Sequence, residues 1–534
     1  TFVAMIPLLP DSFMIDIRAI ADKDTVFSKK NVYVPSYYLE NARNSLAIDT
    51  SFFRTFEETE IRQGEKMTFF TKGTPGASAS FSILGFVQNV RMRELHPRKN
   101  RRWDGSVFKN GKPPFLPKIR GIYAGTYVLP ENAQLGKASL RFTFSNSNRD
   151  TATAALDAAI LVKEKDFQQT AVVEYQTVVT DESSDHLEPV FFAPGTRISV
   201  TGRIGNDYRV ALSSSDEVWI PRERIRFPGI SFPQKIGRLS NAKFESFPNK
   251  VRFTLQQTHR LPFRIIQNTQ PQRLSLLFYG AGFDSTLNEI DRNDKMISKI
   301  LWQQKEENIV LGTFYLNSKQ QWGYRAFYQD STFILEIKRP PKIAKTRQAL
   351  FQNLLICLDP GHSPANGSIG PTGLKEKQAA SNYARLLKEL LERKGAKVIL
   401  TRGPADGINL SSRTMFANQI NADLFISLHF NALPDGVNPM RSRGTSTYFF
   451  HQQSQALAEA VQKQILQNAG LRKFGLYQND LAVCRITSMP AVLLEPAFIM
   501  IPYEEMKIVD PEFQKRVCEG IVRGIENFLF DSRE

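Results

Sequence analysis

The sequence predicts an α/β domain at the C-terminus, a mixed sheet flanked by helices, preceded by several all-β domains. Three observations carry this expectation. The 534 residues are too many for one hydrophobic core, and a domain size of about 150 residues implies three or four domains. Apolar and polar residues alternate between turn residues as far as about residue 340, the period of half-buried strands. Beyond about residue 375 the apolar spacing becomes helical, between short continuous apolar runs that suit strands buried on both faces. A composition of 42% hydrophobic and 23% charged residues excludes a disordered or fibrous chain.

Residues 1–63 form an N-terminal segment to which the sequence assigns no role. Its first ten residues, Thr1 to Pro10, are apolar but lack a basic flank and end at Asp11. They read equally as the remnant of a signal sequence or as a first strand. Residues 64–165 hold the strand candidates Met67–Lys72, Ala79–Leu84, Gly125–Val128 and Ala138–Phe144, with turns such as Gly73-Thr74-Pro75-Gly76 between them. That spacing predicts a β-sandwich-like domain. Residues 172–228 read as a small barrel: Pro194-Gly195-Thr196, the alternating Arg197–Thr201, the Gly202 turn, Tyr208–Leu212, then Val218-Trp219-Ile220-Pro221. This order resembles the bacterial SH3-like domains found beside cell-wall hydrolases. Residues 240–340 offer Val251–Leu255, Leu261–Ile266, Leu274–Tyr279 and Thr332–Ile337, with aromatics at Trp302, Tyr315, Trp322 and Tyr324. They resemble the β-domain that precedes the catalytic part of some envelope amidases and is taken to hold wall glycan. Pro340-Pro341-Lys342 through Lys345 is a stiff basic linker.

The last domain spans 351–534. Leu354–Leu358, Lys397–Leu400, Asp423–Leu428 and Ala491–Leu494 are its strand candidates. Ala379–Arg393, Ser412–Ile420, Gln455–Asn468 and Glu512–Phe528 are its helices, and the strand–helix alternation places sites at strand ends.

Lys and Arg number 69 against 53 Asp and Glu, a formal charge of +16. That surface suits nucleic acid, anionic membrane or an anionic envelope polymer alike. Half of the excess lies in residues 91–120, where ten basic side chains face only Glu94 and Asp104, a net +8 among several prolines. The stretch reads as a solvated loop or as a hold on anionic envelope polymer; no nucleic-acid partner is expected. No run reaches the roughly 18 apolar residues of a membrane span. The three cysteines, Cys357, Cys484 and Cys518, are too few for a disulfide scaffold, and Cys357 lies within an apolar strand run.

Two of the six histidines sit alike: His362 follows the first apolar strand and His429 follows the strand from Asp423. Neighbouring strands of one sheet would bring both imidazoles to one rim. Two His and one carboxylate are a standard donor set for catalytic zinc, which keeps a position open for water. Glu376, at the start of the long helix, is a candidate third donor. Glu495, directly after Ala491–Leu494, is a candidate general base rather than a ligand. Taken alone, each Glu is equally a helix-dipole charge or a loop ion pair. Arg402 and Arg413 read as structural salt bridges and His451 as a structural histidine. No GxSxG elbow, phosphate-binding GxxxxGK[ST] loop or GxGxxG after a strand is present.

Asp-Pro-Gly-His at 359–362, Gly-Leu-Lys-Glu-Lys at 373–377, Thr-Arg at 401–402, Arg413 with Ala417-Asn418, Ser-Leu-His-Phe-Asn-Ala at 427–432 and Pro-Ala-Val-Leu-Leu-Glu at 490–495 complete the pattern. Over 353–530 the chain resembles the zinc N-acetylmuramoyl-L-alanine amidase family, the third amidase class. The resemblance implies His362, Glu376 and His429 as ligands of Zn2+, Glu495 as the catalytic carboxylate, and Asn431 as a substrate-orienting residue. It implies peptidoglycan as substrate and a periplasmic or extracellular envelope location. Ser363-Pro364 after the first His, where the family usually has glycine, and Pro496 after Glu495 depart from the pattern. Two rivals share these residues: a zinc peptidase acting on stem peptides, and a wall-binding protein with an inactive hydrolase domain. Division amidases of the family insert an inhibitory helix between the second His and the catalytic Glu. Here that interval, 66 residues, is taken up by Thr445–Phe450, Gln455–Asn468, a Gly470–Gly475 turn and the run into Ala491. The sequence therefore predicts an open groove, and residues 350–534 that act alone on soluble muropeptide.

Overall fold

Alternating burial in the first two thirds of the chain follows from strands with one face on a core; continuous burial in the last third follows from strands covered on both sides. The computed structural model describes residues 11–21, 24–34, 40–41, 45–50, 58–96, 119–180, 188–214, 216–229, 236–284, 287, 294–433 and 443–533. Thr1 to Pro10 and most of the basic stretch, residues 97–118, lie outside them. At the end of that stretch Arg120 pairs with Glu94 at 3.1 Å.

Asp11–Ala21 and Asp24–Val34 form a two-stranded antiparallel hairpin. A continuous ladder then runs from the Met67 region into the Trp219 region. Thr59–Arg62 pairs in parallel with Thr151–Lys163 and antiparallel with Arg197–Ile204, which joins the two groups of strands. Phe81, Leu140, Phe142 and Phe144 fill the first core. Val200, Val210, Val218 and Ile220 fill the second, from strands Gln169–Val173, Arg197–Ile204, Asp207–Ala211, Glu217–Pro221 and Ile225–Arg226.

Residues 237–338 make two packed sheets. One carries Phe263–Thr269, Gln272–Tyr279, Ile297–Glu306 and Ile309–Leu316; the other carries Gly237–Ser246, Lys250–Gln257, Tyr324–Gln329 and Thr332–Lys338. Their inner faces meet through Phe253, Phe263, Phe278, Trp302, Phe314 and Phe333. The sequence expectation named four of these strands and passed over Ile297–Glu306, Ile309–Leu316, Gly237–Ser246 and Tyr324–Gln329. Charged side chains on the outer faces of Ile297–Glu306, Gly237–Ser246 and Tyr324–Gln329 dilute the apolar signal, whereas Ile309–Leu316 carries no charge and is interrupted only by Gly312.

The C-terminal domain is the expected mixed sheet flanked by helices. Its strands are β1 (Leu355–Pro360), β2 (Lys397–Leu400), β3 (Leu424–Leu428), β4 (Thr445–Phe449), β5 (Lys473–Gln478) and β6 (Ala491–Glu495), in the order β2-β1-β3-β6-β4-β5. All neighbours are parallel except β4 and β6. The helices are α1 (Glu376–Arg393), α2 (Leu410–Gln419), α3 (Gln455–Ala469), α4 (Pro502–Val509) and α5 (Pro511–Asp531). Helix α1 buries Ala380, Tyr383, Ala384, Leu387 and Leu391 at helical spacing against the sheet. Helix α5 starts on Asp510, whose carboxylate accepts from the Phe513 amide at 3.1 Å. Strand β5 was unforeseen: Gly470 does end α3 at φ 65°, but Lys473–Gln478 then pairs with β4 instead of continuing a turn.

The 237–338 sandwich is bound tightly to the start of this sheet. Lys338 pairs with Asp423 at 3.0 Å and donates to the Ala422 carbonyl at 2.7 Å. The Tyr324 amide donates to Thr487 at 2.7 Å, and Arg325 to the Asn418 carbonyl at 2.7 Å. Between them Gly323 (φ 121°) leaves no room for a side chain, because a Cβ there would stand 2.2 Å from the Ser488 carbonyl carbon. Trp322, 1% exposed, joins the C-terminal core beside Phe528, ring centroids 5.6 Å apart.

Candidate active site

Strands β1, β3 and β6 run parallel and side by side, so their C-terminal ends form one rim. In open α/β sheets that rim is where ligands bind. His362 follows β1, His429 follows β3 and Glu495 closes β6. Glu376 enters the rim from the first residue of α1.

Three of these side chains converge. His362 Nε2 lies 2.9 Å from Glu376 Oε1, His429 Nδ1 lies 3.0 Å from the same oxygen, and the two imidazole nitrogens are 3.1 Å apart. Burial opposes ionisation of Glu376, but hydrogen bonds with His362 and His429 outweigh it and hold its carboxyl far below the usual range. Oε1 also accepts from the Phe430 amide at 3.0 Å, and Oε2 from the Ser368 amide at 2.9 Å. Gly367 (φ 68°) is required beneath this group, since a Cβ there would sit 2.6 Å from both Glu376 Oε2 and His362 Cδ2.

The loop bearing His362 is held against its own preference. His362 and Ser363 adopt φ 62° and 73°, a left-handed conformation unfavourable to side chains. Two guanidinium groups fix it. Arg413 pairs with the fully buried Asp359 at 2.6 Å and donates to the Pro360 and His362 carbonyls. Arg402 donates to the Pro360 and Gly361 carbonyls, each at 2.9 Å. Asp359 accepts further from Thr401 Oγ1 at 2.6 Å and Ser427 Oγ at 2.7 Å. Arg413 is thus the structural ion pair expected from sequence, whereas Arg402 acts mainly by capping backbone carbonyls.

Glu495 is 4% exposed, and its Oε2 has no hydrogen-bond partner among the described residues. Burial first, and the nearby charge of Glu376 second, push its carboxyl pKa well above the usual range. A buried carboxyl oxygen without a partner among the described residues, with a raised pKa, marks Glu495 as a candidate for proton transfer. Asn431 is 2% exposed and donates to Ser446 Oγ at 2.9 Å, opposite Glu495 in the β4–β6 register. His451 is a core histidine: it is 5% exposed, packs on Phe450 and Tyr324, and donates from Nε2 to the Arg485 carbonyl at 3.1 Å.

One residue of the site's support was missed. Glu505, 1% exposed on α4, accepts from the Thr372 amide at 3.0 Å, Thr372 Oγ1 at 2.8 Å and the Leu374 amide at 3.4 Å. It fixes the turn that delivers Glu376. An acid in the first turn of a helix that begins with Pro502 reads as a dipole partner, so only the turn's position reveals it.

The donor set fits a metal. Tetrahedral zinc, with ligands at about 2.0–2.1 Å, holds them roughly 3.3 Å apart, close to the 2.9–3.1 Å separations of the three donor atoms. Among the described residues this is the one cluster of three such side chains.

Fold and rim together define a hydrolase-type α/β domain with a His–Glu–His cluster. Comparison with known proteins specifies it further: residues 356–527 match the family model Amidase_3, N-acetylmuramoyl-L-alanine amidase. The probable cell wall amidase LytH of Staphylococcus epidermidis is 34% identical over 177 residues, 33% of this chain and 58% of that protein. The endolysin of Bacillus phage SPP1 is 33% identical over 184 residues, 33% of this chain and 66% of the phage protein. Among solved structures, the catalytic domain of CwlV, an N-acetylmuramoyl-L-alanine amidase from Bacillus (Paenibacillus) polymyxa, is 31% identical. It covers 34% of this chain and 99% of its own, with a TM-score of 0.31. The chain thus spans little more than half the length of the LytH relative. Its C-terminal third is an Amidase_3 domain, and what precedes that domain is mostly β-strand.

Proposed function

We propose that this chain is a peptidoglycan hydrolase that cleaves the amide between the lactyl group of N-acetylmuramic acid and L-alanine of the stem peptide. The observation that carries the reading is the convergence of His362, Glu376 and His429 within 3.1 Å at the rim where the buried, unpartnered Glu495 ends β6. The family match supports the bond and the substrate.

His362 Nε2, His429 Nδ1 and Glu376 would hold Zn2+. When bound, zinc supplies Lewis acidity that polarises the amide carbonyl and makes water nucleophilic near neutral pH. Glu495 takes the proton from the attacking water as the C–O bond forms. It then gives that proton to the departing alanine nitrogen as the C–N bond breaks, leaving a lactyl carboxylate and a free amine. Its raised pKa suits both halves of this transfer. Asn431, anchored by Ser446, orients substrate beside Glu495. We assign the chain to the periplasm or the extracellular cell envelope, as its likeness to a probable cell wall amidase supports; among the described residues no helix is long and apolar enough to cross a membrane. The basic 91–120 stretch would add a hold on anionic envelope polymer.

Purified chain incubated with soluble muropeptide and read by mass spectrometry tests the reaction. The expected products are an intact lactyl disaccharide and a peptide with a new alanine amine; cleavage between amino acids would point to a peptidase instead. Metal analysis tests the roles. His429→Ala should lose both tight zinc binding and activity, while Glu495→Ala should keep about one zinc per chain and lose turnover by several orders of magnitude. Loss of zinc from the Glu495 variant would reverse the two assignments.

A further inference from the structure

Among the described residues, the strands Asp11–Ala21 and Asp24–Val34 pair with each other and with no third strand. A lone two-stranded hairpin is marginally stable in water; independent stability takes three or more strands with an apolar face. This hairpin has such a face. Its register sets Phe13 across from Val32 and Ala19 across from Val26, with Ile15 and Ile17 on the same side. Ile17 is 51% exposed and Val26 67%.

The two open edges differ. Asp24–Val34 carries the exposed Lys29 and Lys30 at its middle, residues of the type that keeps an edge from pairing. Asp11–Ala21 carries one charge of each sign, Asp16 and Arg18, together on the face opposite Ile17. Asp16 meets Lys29 at 3.9 Å with both side chains largely exposed, a contact too weak to commit it.

An edge that meets its own copy antiparallel about a two-fold axis sets each residue across from the one equally far beyond the centre. A centre that falls on a residue keeps like faces together. Centred on Asp16 or on Arg18, the register sets like charges across the axis, which is destabilising. Centred on Ile17, it sets Asp16 across from Arg18 at two symmetric contacts, Ile15 across from Ala19, and Ile17 across from itself. It also sets Met14 across from Ile20, and both are exposed in the single hairpin. One register thus satisfies the charges and the apolar residues together.

We propose that the Asp11–Ala21 edge pairs antiparallel with the same edge of a second copy of this chain, about an axis at Ile17, to make a four-stranded sheet. The inference stands on the hairpin and is independent of the chemistry at the rim. Such a dimer carries two copies of the His–Glu–His site.

Sedimentation velocity of the full chain across a range of concentrations tests it, and wild type should form a reversible dimer. Arg18→Asp and Asp16→Arg each set like charges across both symmetric contacts and should raise the dimer dissociation constant about tenfold. The double variant carrying both substitutions should recover most of the loss, which mere damage to the hairpin would not allow. Ile17→Cys places two thiols opposite each other within reach of a disulfide. It should cross-link the dimer on mild oxidation, since the three native cysteines are buried. Ser28→Cys, across from Ile17 on the lysine-bearing strand, should not. A wild type that stays monomeric throughout would overturn the proposal. So would a double variant no better than the singles, or a Ser28 variant that cross-links as readily. A monomeric chain that co-sediments with anionic lipid vesicles, and ceases to with Ile17→Asp, would give the apolar face to a membrane instead.

Discussion

Lys338 of the sandwich and Asp423 of the C-terminal domain form an ion pair of 3.0 Å in which both side chains are about 85% buried. Asp423 also accepts from the Leu355 amide at 3.0 Å, so one carboxylate, held by Lys338, ties together the starts of β1 and β3. The far ends of those strands carry His362 and His429. Removing one member of a buried pair leaves the other charge stranded, at a cost of about 3 kcal/mol. Lys338→Ala should lower the urea midpoint accordingly, with Lys338→Met less harmful because its stem still fills the space. An unchanged midpoint for the Ala variant would show that the pair is solvated in solution.

The same contact revises what the sequence suggests about residues 350–534. Cut at the linker, that fragment would lose Trp322 from its core, the Tyr324–Thr487 hydrogen bond and the partner of Asp423. It should aggregate or melt well below the full chain, whereas a fragment from 237 to 534 should keep most of the full chain's melting temperature. Differential scanning calorimetry of the two fragments decides this. Equal melting of both would restore the autonomous domain.

These contacts also mark where the sequence stopped being readable. His362, His429 and Glu495 were legible because a polar residue directly after a continuous apolar run has few reasons to be there. Glu376 was legible only in their company. Lys338 was not, because a lysine closing an alternating strand is usually solvated, and nothing local tells that Asp423 lies opposite. Strand β5 was hidden by Gly475, which reads as a turn. The Thr59–Arg62 strand, which bridges two β regions, is four residues long, and its pairing partners are about 100 and 140 residues away.

Glu505 leads to a prediction about metal affinity. Its carboxylate holds Thr372 by two hydrogen bonds and so sets the entry angle of α1, on which Glu376 is the first residue. Groups that orient ligands from behind are worth 10–100-fold in metal affinity. Glu505→Gln places an amide NH₂ where the Thr372 amide also donates, and should raise the zinc dissociation constant about tenfold. Competition with a chromophoric chelator on the folded variant measures this independently of turnover. If affinity stayed at the wild-type value while only stability fell, Glu505 would be a packing residue without influence on the site.

His451 gives the fold an acid-sensitive element. Burial, the largest cause, lowers its pKa from 6.5 to about 4. With the folded-state pKa below the unfolded one, the unfolded chain takes up the proton first as the medium is acidified. The stabilising contribution is therefore complete above about pH 6.5, declines as pH falls from there to about 4, and is gone below that. A difference of this size corresponds to about 3 kcal/mol over the window, and burial of the ring means solvent does little to reduce it. Glu495 and the other buried carboxyls add their own slopes, so the comparison must be made against a variant. His451→Gln keeps a donor for the Arg485 carbonyl and cannot titrate. Its unfolding free energy should lack the wild type's extra decline between pH 6.5 and 4, and parallel pH profiles for the two proteins would show that the ring is reached by water before the chain unfolds.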